Sequence, residues 1–213
     1  MKIFNLLVGG DPANLPENWQ ELDGEWVGVD RGALHLVNEQ LKGSLAIGDF
    51  DSVSEAEFAK VAAGFDRVVK LNPIKDDTDT EAALAKVLNI DDHAQVRILG
   101  VSGGRIDHLL ANVLMVLEAR FRRFAEQITL IDRQNRITFF NSGKHTIKKE
   151  AGFKYLSFIP LTPIDALTLD DEKYQLHNHM VPNARAYVSN EFIGSTATVY
   201  LSNGLIAVIQ SKD

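Results

Sequence analysis

The hydrophobic positions change rhythm once along the chain, near residue 127. Before it, short apolar runs alternate with stretches of helical period. Ile3 to Val8, Trp26 to Val29, Leu45 to Ile47, Arg67 to Leu71 and Val96 to Leu99 read as strands. Between them, Leu34, Leu36, Val37 and Leu41 fit one helix face, as do Ala82, Ala83, Leu84, Val87 and Leu88. Leu109, Leu110, Val113, Leu114 and Leu117 fit another, and Thr78 or Asp79 can cap the helix before it. Alternation of this kind predicts a mostly parallel sheet flanked by helices.

From Ile128 onward the runs are short, alternating and rich in Thr, Val, Ile, Phe and Tyr, as in 136–140, 155–159, 166–169, 196–201 and 205–209. Asn141-Ser142-Gly143, Pro160 to Pro163 and Ser202-Asn203-Gly204 read as the turns between them. Asn-Gly tolerates the positive φ of a tight turn, so the last is read as a hairpin. The expected fold class is therefore α/β. A Rossmann-like domain over 1–127 is followed by an antiparallel β-sandwich over 128–213, with no floppy linker.

Composition narrows the chemistry. No cysteine is present among the 213 residues, which excludes disulfides, thiolate metal sites and a cysteine nucleophile. The formal charge is −7, and no long basic run exists to neutralise nucleic acid. Arg120, Arg122 and Arg123 close an apolar helical stretch and read as solvated side chains offsetting its dipole. No segment approaches the ~18–20 apolar residues of a membrane span, so a soluble, cytoplasmic protein is expected. His177 and His179 lack a third ligand for zinc.

Open parallel sheets bind ligands outside the carboxyl ends of their strands, and four loops there are unusual. Gly48-Asp49-Phe50-Asp51-Ser52 places two carboxylates at i and i+2, where hard oxygen ligands suit Mg²⁺; a capped turn gives the same pattern. Lys75-Asp76-Asp77-Thr78-Asp79-Thr80-Glu81 crowds acids at a helix start. The dipole accounts for Asp79 and Glu81 at ~0.3–1 kcal/mol each, but less well for Asp76 and Asp77. Gly100-Val101-Ser102-Gly103-Gly104-Arg105-Ile106-Asp107-His108 offers glycines, a helix N-terminus and an arginine for phosphoryl oxygens. Gly9-Gly10-Asp11-Pro12 is the fourth, and Asp30-Arg31-Gly32 adds a further strand-end arginine. Together these suit a metal-bound polyphosphate, although neither a Walker A loop nor G-x-G-x-x-G occurs.

Gly48-Asp49-Phe50-Asp51-Ser52, Asp77-Thr78-Asp79, Gly103 to His108 with Asn112, and Val188-Ser189-Asn190-Glu191 resemble the thiamine pyrophosphokinase family in order and spacing. The resemblance implies pyrophosphoryl transfer from ATP to the hydroxyl of thiamine, giving thiamine diphosphate and AMP. It implies Mg²⁺ and a homodimer with the active site at the subunit interface. On that analogy, Asp49, Asp51 and Asp79 hold the metal, with Asp107 beside the ATP phosphates. Arg105 grips phosphate, and Asp79 or Asp107 accepts the hydroxyl proton. Gly9, Asp30, Arg31, Asp76, Asp77, Thr78, Ser102, Gly104, His108 and Asn112 complete the nucleotide site. Tyr174, Ser189 and Asn190 meet thiamine, with Asp171 at or beside a position where the family has glycine. Three other readings use the same residues: a haloacid-dehalogenase-type phosphatase phosphorylated on Asp49, a pyrophosphokinase acting on another alcohol such as a pterin, and a nucleotide-sensing module without turnover.

Overall fold

In the amino-terminal part of the chain, strands form where apolar runs are unbroken. These are β1 (Ile3–Leu7), β2 (Glu25–Val29), β3 (Leu45–Gly48), β4 (Val68–Lys70), β5 (Gln95–Leu99) and β6 (Ile128–Ile131). The computed structural model describes residues 1–213. These six strands lie in the order β6-β5-β1-β2-β3-β4, and every neighbouring pair is parallel. The interior of β1 and β2 is buried throughout because helices cover both faces. The chain steps outward from β1 to β4, then returns to the other side of β1 with β5. The strand order thus reverses between β1 and β5, and a crevice opens at their carboxyl ends.

The helices are α1 (Arg31–Asn38), α2 (Glu55–Gly64), α3 (Asp79–Ile90), α4 (Ile106–Leu114) and α5 (Ala119–Arg122). Two of them start on reciprocal capping boxes, Ser54 with Glu57 and Thr78 with Glu81. Helix α4 ends at Leu114, where the expected longer helix tightens into a 3-10 turn over Met115–Leu117. Trp19 and Trp26 meet edge to face at 5.3 Å in a core with Leu7, Leu36, Ala46 and Phe65.

The second unit holds β7 (Asn135–Lys148), β8 (Tyr155–Pro160), β9 (Ile164–Asp170), β10 (Leu176–Val181), β11 (Tyr187–Glu191) and β12 (Thr196–Ser211). It is antiparallel and β-rich. Strands β7 and β12 pair over their whole length, from Asn135↔Ser211 to Lys148↔Thr196. The other edge of β12 takes β9 along its first half and β8 along its second. β10 and β11 extend those two branches. Leu156, Phe158, Leu167, Leu169, Val199 and Val208, drawn from both branches, share one core.

Three expectations are corrected. Ser202-Asn203-Gly204 is not a hairpin turn: it lies inside β12, where the register slips between Leu201 and Leu205 and Gly204 takes φ +90°. The positive φ is present, but it makes a bulge, and the chain does not reverse. Asn141-Ser142-Gly143 is likewise continuous strand within β7, opposite that bulge. The units divide at Arg133/Gln134, not at 127/128, because β6 pairs parallel with β5 from Val96↔Ile128 to Leu99↔Ile131.

Candidate active site

The loops after β2 and β3 build one carboxylate cluster. Asp30 stands at φ +47°, and its N–H donates to the Ile47 carbonyl at 2.9 Å. Ser52 Oγ donates to Asp30 Oδ2 at 2.8 Å, while Asp30 Oδ1 is buried with no hydrogen-bond partner. Phe50 takes φ +57° and buries its ring against Phe58, so Asp49 and Asp51 flank an anchored turn. The Asp51 N–H donates to Asp49 Oδ1 at 3.2 Å. One oxygen each from Asp30, Asp49 and Asp51 falls within 4.8 Å of the others. Like charges this close repel unless a cation joins them. Carboxylates alone, one with an orphaned buried oxygen, fit a hard divalent ion such as Mg²⁺.

The loop after β4 adds Asp79 but ties it to a lysine. Lys75 Nζ lies 3.1 Å from Asp79 Oδ1 and 3.5 Å from Asp49 Oδ2. Burial raises the Asp79 pKa, and the bond to Lys75 only partly opposes this. Burial works to lower the Lys75 pKa, yet the bond to Asp79 and the charges of Asp79 and Asp49 leave it raised. The three carboxylates expected around a metal therefore divide: Asp49 and Asp51 cluster with Asp30, and Asp79 faces Lys75. Lys75 has no place among the sequence expectations; its spacing of four residues before Asp79 is the signal that points to this pair. Asp76 is exposed.

Asp77 is committed elsewhere. Both its oxygens accept from Arg120, at 2.8 Å each, and Arg120 Nε also donates to Glu118 at 2.7 Å. The bidentate bond to Arg120 holds the Asp77 carboxyl below its usual range. This corrects the reading of Arg120 as a side chain left to water.

At the switch point the glycines meet backbone to backbone. A Cβ on Gly10 would fall 1.9 Å from the Gly100 carbonyl oxygen, and Gly100 itself takes φ +79°. At Gly104, by contrast, a Cβ would meet nothing within 4 Å, so the protein's own packing does not demand glycine there. A cleft of about 500 Å³ opens here, walled by Gly9, Asp30 and Arg31 from one side and by Ser52, Lys75, Thr78 and Asp79 from another. Ser102, Gly104, Arg105, His108 and Asn112 complete it. Asp107 is outside this wall. It is exposed, and Arg105 Nε and Nη2 donate to its two oxygens at 3.2 and 2.6 Å. That bond lowers the Asp107 pKa and raises that of Arg105.

In the second unit the three residues expected to meet thiamine differ in setting. Tyr174 is exposed, with Lys173 Nζ 5.5 Å from its ring centroid. Asn190 is buried, its amide bonded to the Tyr174 backbone. Ser189 takes φ +59°, donates its backbone N–H to Ser157 Oγ at 3.2 Å, and lines a polar cavity of about 480 Å³ with Tyr155 and Lys212. Neither Tyr174 nor Asn190 is in that wall.

Fold and cleft together define an α/β protein whose acidic, glycine-lined crevice sits at the carboxyl ends of a parallel sheet, joined to an antiparallel β-rich unit. Residues 17–129 match the thiamin pyrophosphokinase catalytic domain, and residues 144–206 match the thiamin pyrophosphokinase vitamin B1 binding domain. The chain belongs to the thiamine pyrophosphokinase family. It is 33% identical over 217 residues to thiamine pyrophosphokinase of Bacillus subtilis, covering all of both chains. A thiamin pyrophosphokinase family protein from Enterococcus faecalis superposes at a TM-score of 0.95 with 42% identity, over the full length of each. A Lactobacillus plantarum protein superposes at 0.91 with 44% identity, again over both full lengths.

Proposed function

We propose that the protein transfers the pyrophosphoryl group of ATP to the hydroxyl of thiamine, releasing AMP, with the nucleotide in the first unit's cleft and thiamine on the second unit. The observation that carries this reading is the meeting of Asp30, Asp49 and Asp51 at the edge of a cleft that also holds Lys75, Arg31 and Arg105. The site works as a Rossmann-like switch-point crevice: glycine backbone at Gly9 and Gly104 lies beside the phosphates, near the start of α4. Mg²⁺ would be held by Asp30, Asp49 and Asp51, where it neutralises charge on the phosphate oxygens. Arg105 would exchange Asp107 for a phosphoryl oxygen, a bond its exposure permits.

In the reaction the thiamine oxygen bonds to the β-phosphorus of ATP, and the bond from that phosphorus to the α–β bridging oxygen breaks. Asp79 takes the hydroxyl proton, because it lines the cleft while Asp107 stands outside that wall. Asp77 and Asp76 stay off the substrate. Asp77 instead holds the loop through Arg120.

The family match of both halves sets aside a dehalogenase-type phosphatase, and the vitamin B1 binding domain over 144–206 favours thiamine over a pterin. No helix is long and apolar enough to cross a membrane, and a cytoplasmic location forms part of the proposal. So does the homodimer, for which the exposed apolar stripe Ile106, Leu110, Leu114 and Leu117 is the support; its test is the mass in solution. Incubation with ATP, Mg²⁺ and thiamine should yield AMP and thiamine diphosphate in equal amounts. Asp51→Asn should fold with an unchanged circular dichroism spectrum and turn over at least ~100-fold more slowly. Release of inorganic phosphate in place of AMP overturns the reaction, and near-normal turnover in Asp51→Asn overturns that residue's place at the metal.

A further inference from the structure

The amide of Asn190 is almost fully spent on backbone. Its Oδ1 accepts from the N–H of Tyr174 at 2.9 Å and from that of Glu191 at 3.0 Å. Its Nδ2 donates to the Tyr174 carbonyl at 2.8 Å. A carboxamide offers two lone pairs and two N–H groups, so three of four bonding positions are taken. By bonding both the N–H and the C=O of Tyr174, the side chain copies what a neighbouring strand would do.

The surrounding contacts extend that pairing. The Lys173 N–H donates to the Glu191 carbonyl at 3.0 Å, and the Ile193 N–H to the Asp171 carbonyl at 3.3 Å. Lys173 Nζ and Glu191 Oε1 close an ion pair at 2.9 Å. Residues 171–174 are thus zipped to 190–193, and Tyr174 ends the zip. A slip in β11 puts Asn190 there. Tyr187 pairs with Phe158 and Asn190 with Leu156, which leaves one extra residue, and Ser189 takes φ +59°. An extra residue breaks the in–out alternation. Val188 and Ser189 both face out, and Asn190 turns inward at 4% exposure. Tyr174 itself remains 59% exposed on this fixed backbone.

We infer that Asn190 is a positioning residue that never touches thiamine: it clamps the Tyr174 backbone so that the ring presents a ready face to the cationic thiazolium. The inference rests on the reading that Tyr174 meets thiamine. A ring on a held backbone binds a cation without first losing its own freedom. In the Ser189-Asn190 pair, only Ser189 is then free for ligand.

Steady-state kinetics of Asn190→Ala, Asn190→Asp, Tyr174→Ala and the Ala–Ala double variant test this. Asn190→Asp keeps the volume and both accepted bonds, and sets an acceptor against the Tyr174 carbonyl. Both Asn190 variants should raise the thiamine KM about tenfold and leave kcat and the ATP KM within about twofold, the signature of lost uniform binding. In the Tyr174→Ala background, Asn190→Ala should add nothing further. If it adds its full effect there, Asn190 touches thiamine itself and the inference fails. Should Asn190→Ala fail to fold, Asn190→Asp carries the test, and an unchanged thiamine KM in it overturns the clamp. An unchanged thiamine KM in Tyr174→Ala is a different failure: it removes thiamine from this face, while a raised value there with additive Asn190 effects removes only the clamp.

Discussion

At the scale of single residues, Glu172 is the group whose surroundings oppose its charge most. It is fully buried, and neither carboxylate oxygen has a hydrogen-bond partner. Burial above all, then the negative charges of Asp170 and Asp171, pushes its pKa up to about 8. Neighbouring Lys173 gives it no relief, being paired with Glu191. The sign follows from linkage. An unfolded Glu172 ionises near its ordinary value of 4.5 and a folded one near 8. Between those values the folded state holds a proton that the unfolded state has lost, so stability falls as pH rises through that window and levels off above it. Glu172→Gln should flatten this fall, read as the pH dependence of the urea midpoint between pH 5 and 8. An equal slope in both proteins would show that the acid is not buried as charged-form chemistry requires. Sequence gave no warning here, because the run Asp170-Asp171-Glu172 looks like a solvated turn. Only the bridge from Glu172 to Phe192 carries the third acid inside.

At the scale of elements, what could be read was local and what could not was paired at a distance. The strands of the first unit, the Thr78 cap and the acidic loops at strand ends depend on neighbours a few residues apart, and they lie where the periodicity put them. The bulge in β12 defeated the same logic. Asn-Gly accepts a positive φ in a hairpin and in a bulge alike, and the choice belongs to β7, which pairs on both sides of it. The bond of Arg120 escapes local pattern for a similar reason, since its partner Asp77 lies 43 residues away. That pair fastens the loop that carries Lys75 and leads into Asp79 at the start of α3 to the short helix α5. Exposed ion pairs add only about 0–1 kcal/mol, so the fastening concerns placement more than stability. Arg120→Lys loses the two-pronged geometry while keeping the charge. It should shift the unfolding temperature by no more than a few degrees, roughly the value of one such pair, and lower kcat/KM for ATP about tenfold, as expected for a misplaced catalytic loop. Unaltered kcat/KM would confine the Arg120–Asp77 pair to the surface.

At the scale of the whole molecule, the charge of −7 and the affinity for a polyanion have to be reconciled. The acids are not spread evenly: Asp30 and Asp79 line one cleft, Asp49 and Asp51 cluster with Asp30 beside it, and Lys75 in the same wall is already engaged by Asp49 and Asp79. Two unit charges 4 Å apart near a protein surface interact by about 4 kcal/mol, and physiological salt, with a Debye length of about 8 Å, does not screen them at that range. Without a divalent ion the cleft should therefore repel ATP despite Arg31 and Arg105. On the proposed function the same carboxylates would be ligands of the ion, and the repulsion would give way to a bridge from protein to phosphate. Chelation of Mg²⁺ by EDTA should weaken ATP binding at least ~100-fold, a loss of about 2.7 kcal/mol, as measured by titration calorimetry on the unaltered protein. Asp30→Asn with Asp49→Asn should shrink that dependence, since removing two negative charges improves metal-free binding while it worsens binding in Mg²⁺. ATP affinity that is the same with and without Mg²⁺ would mean that the acidic cluster faces something other than the nucleotide.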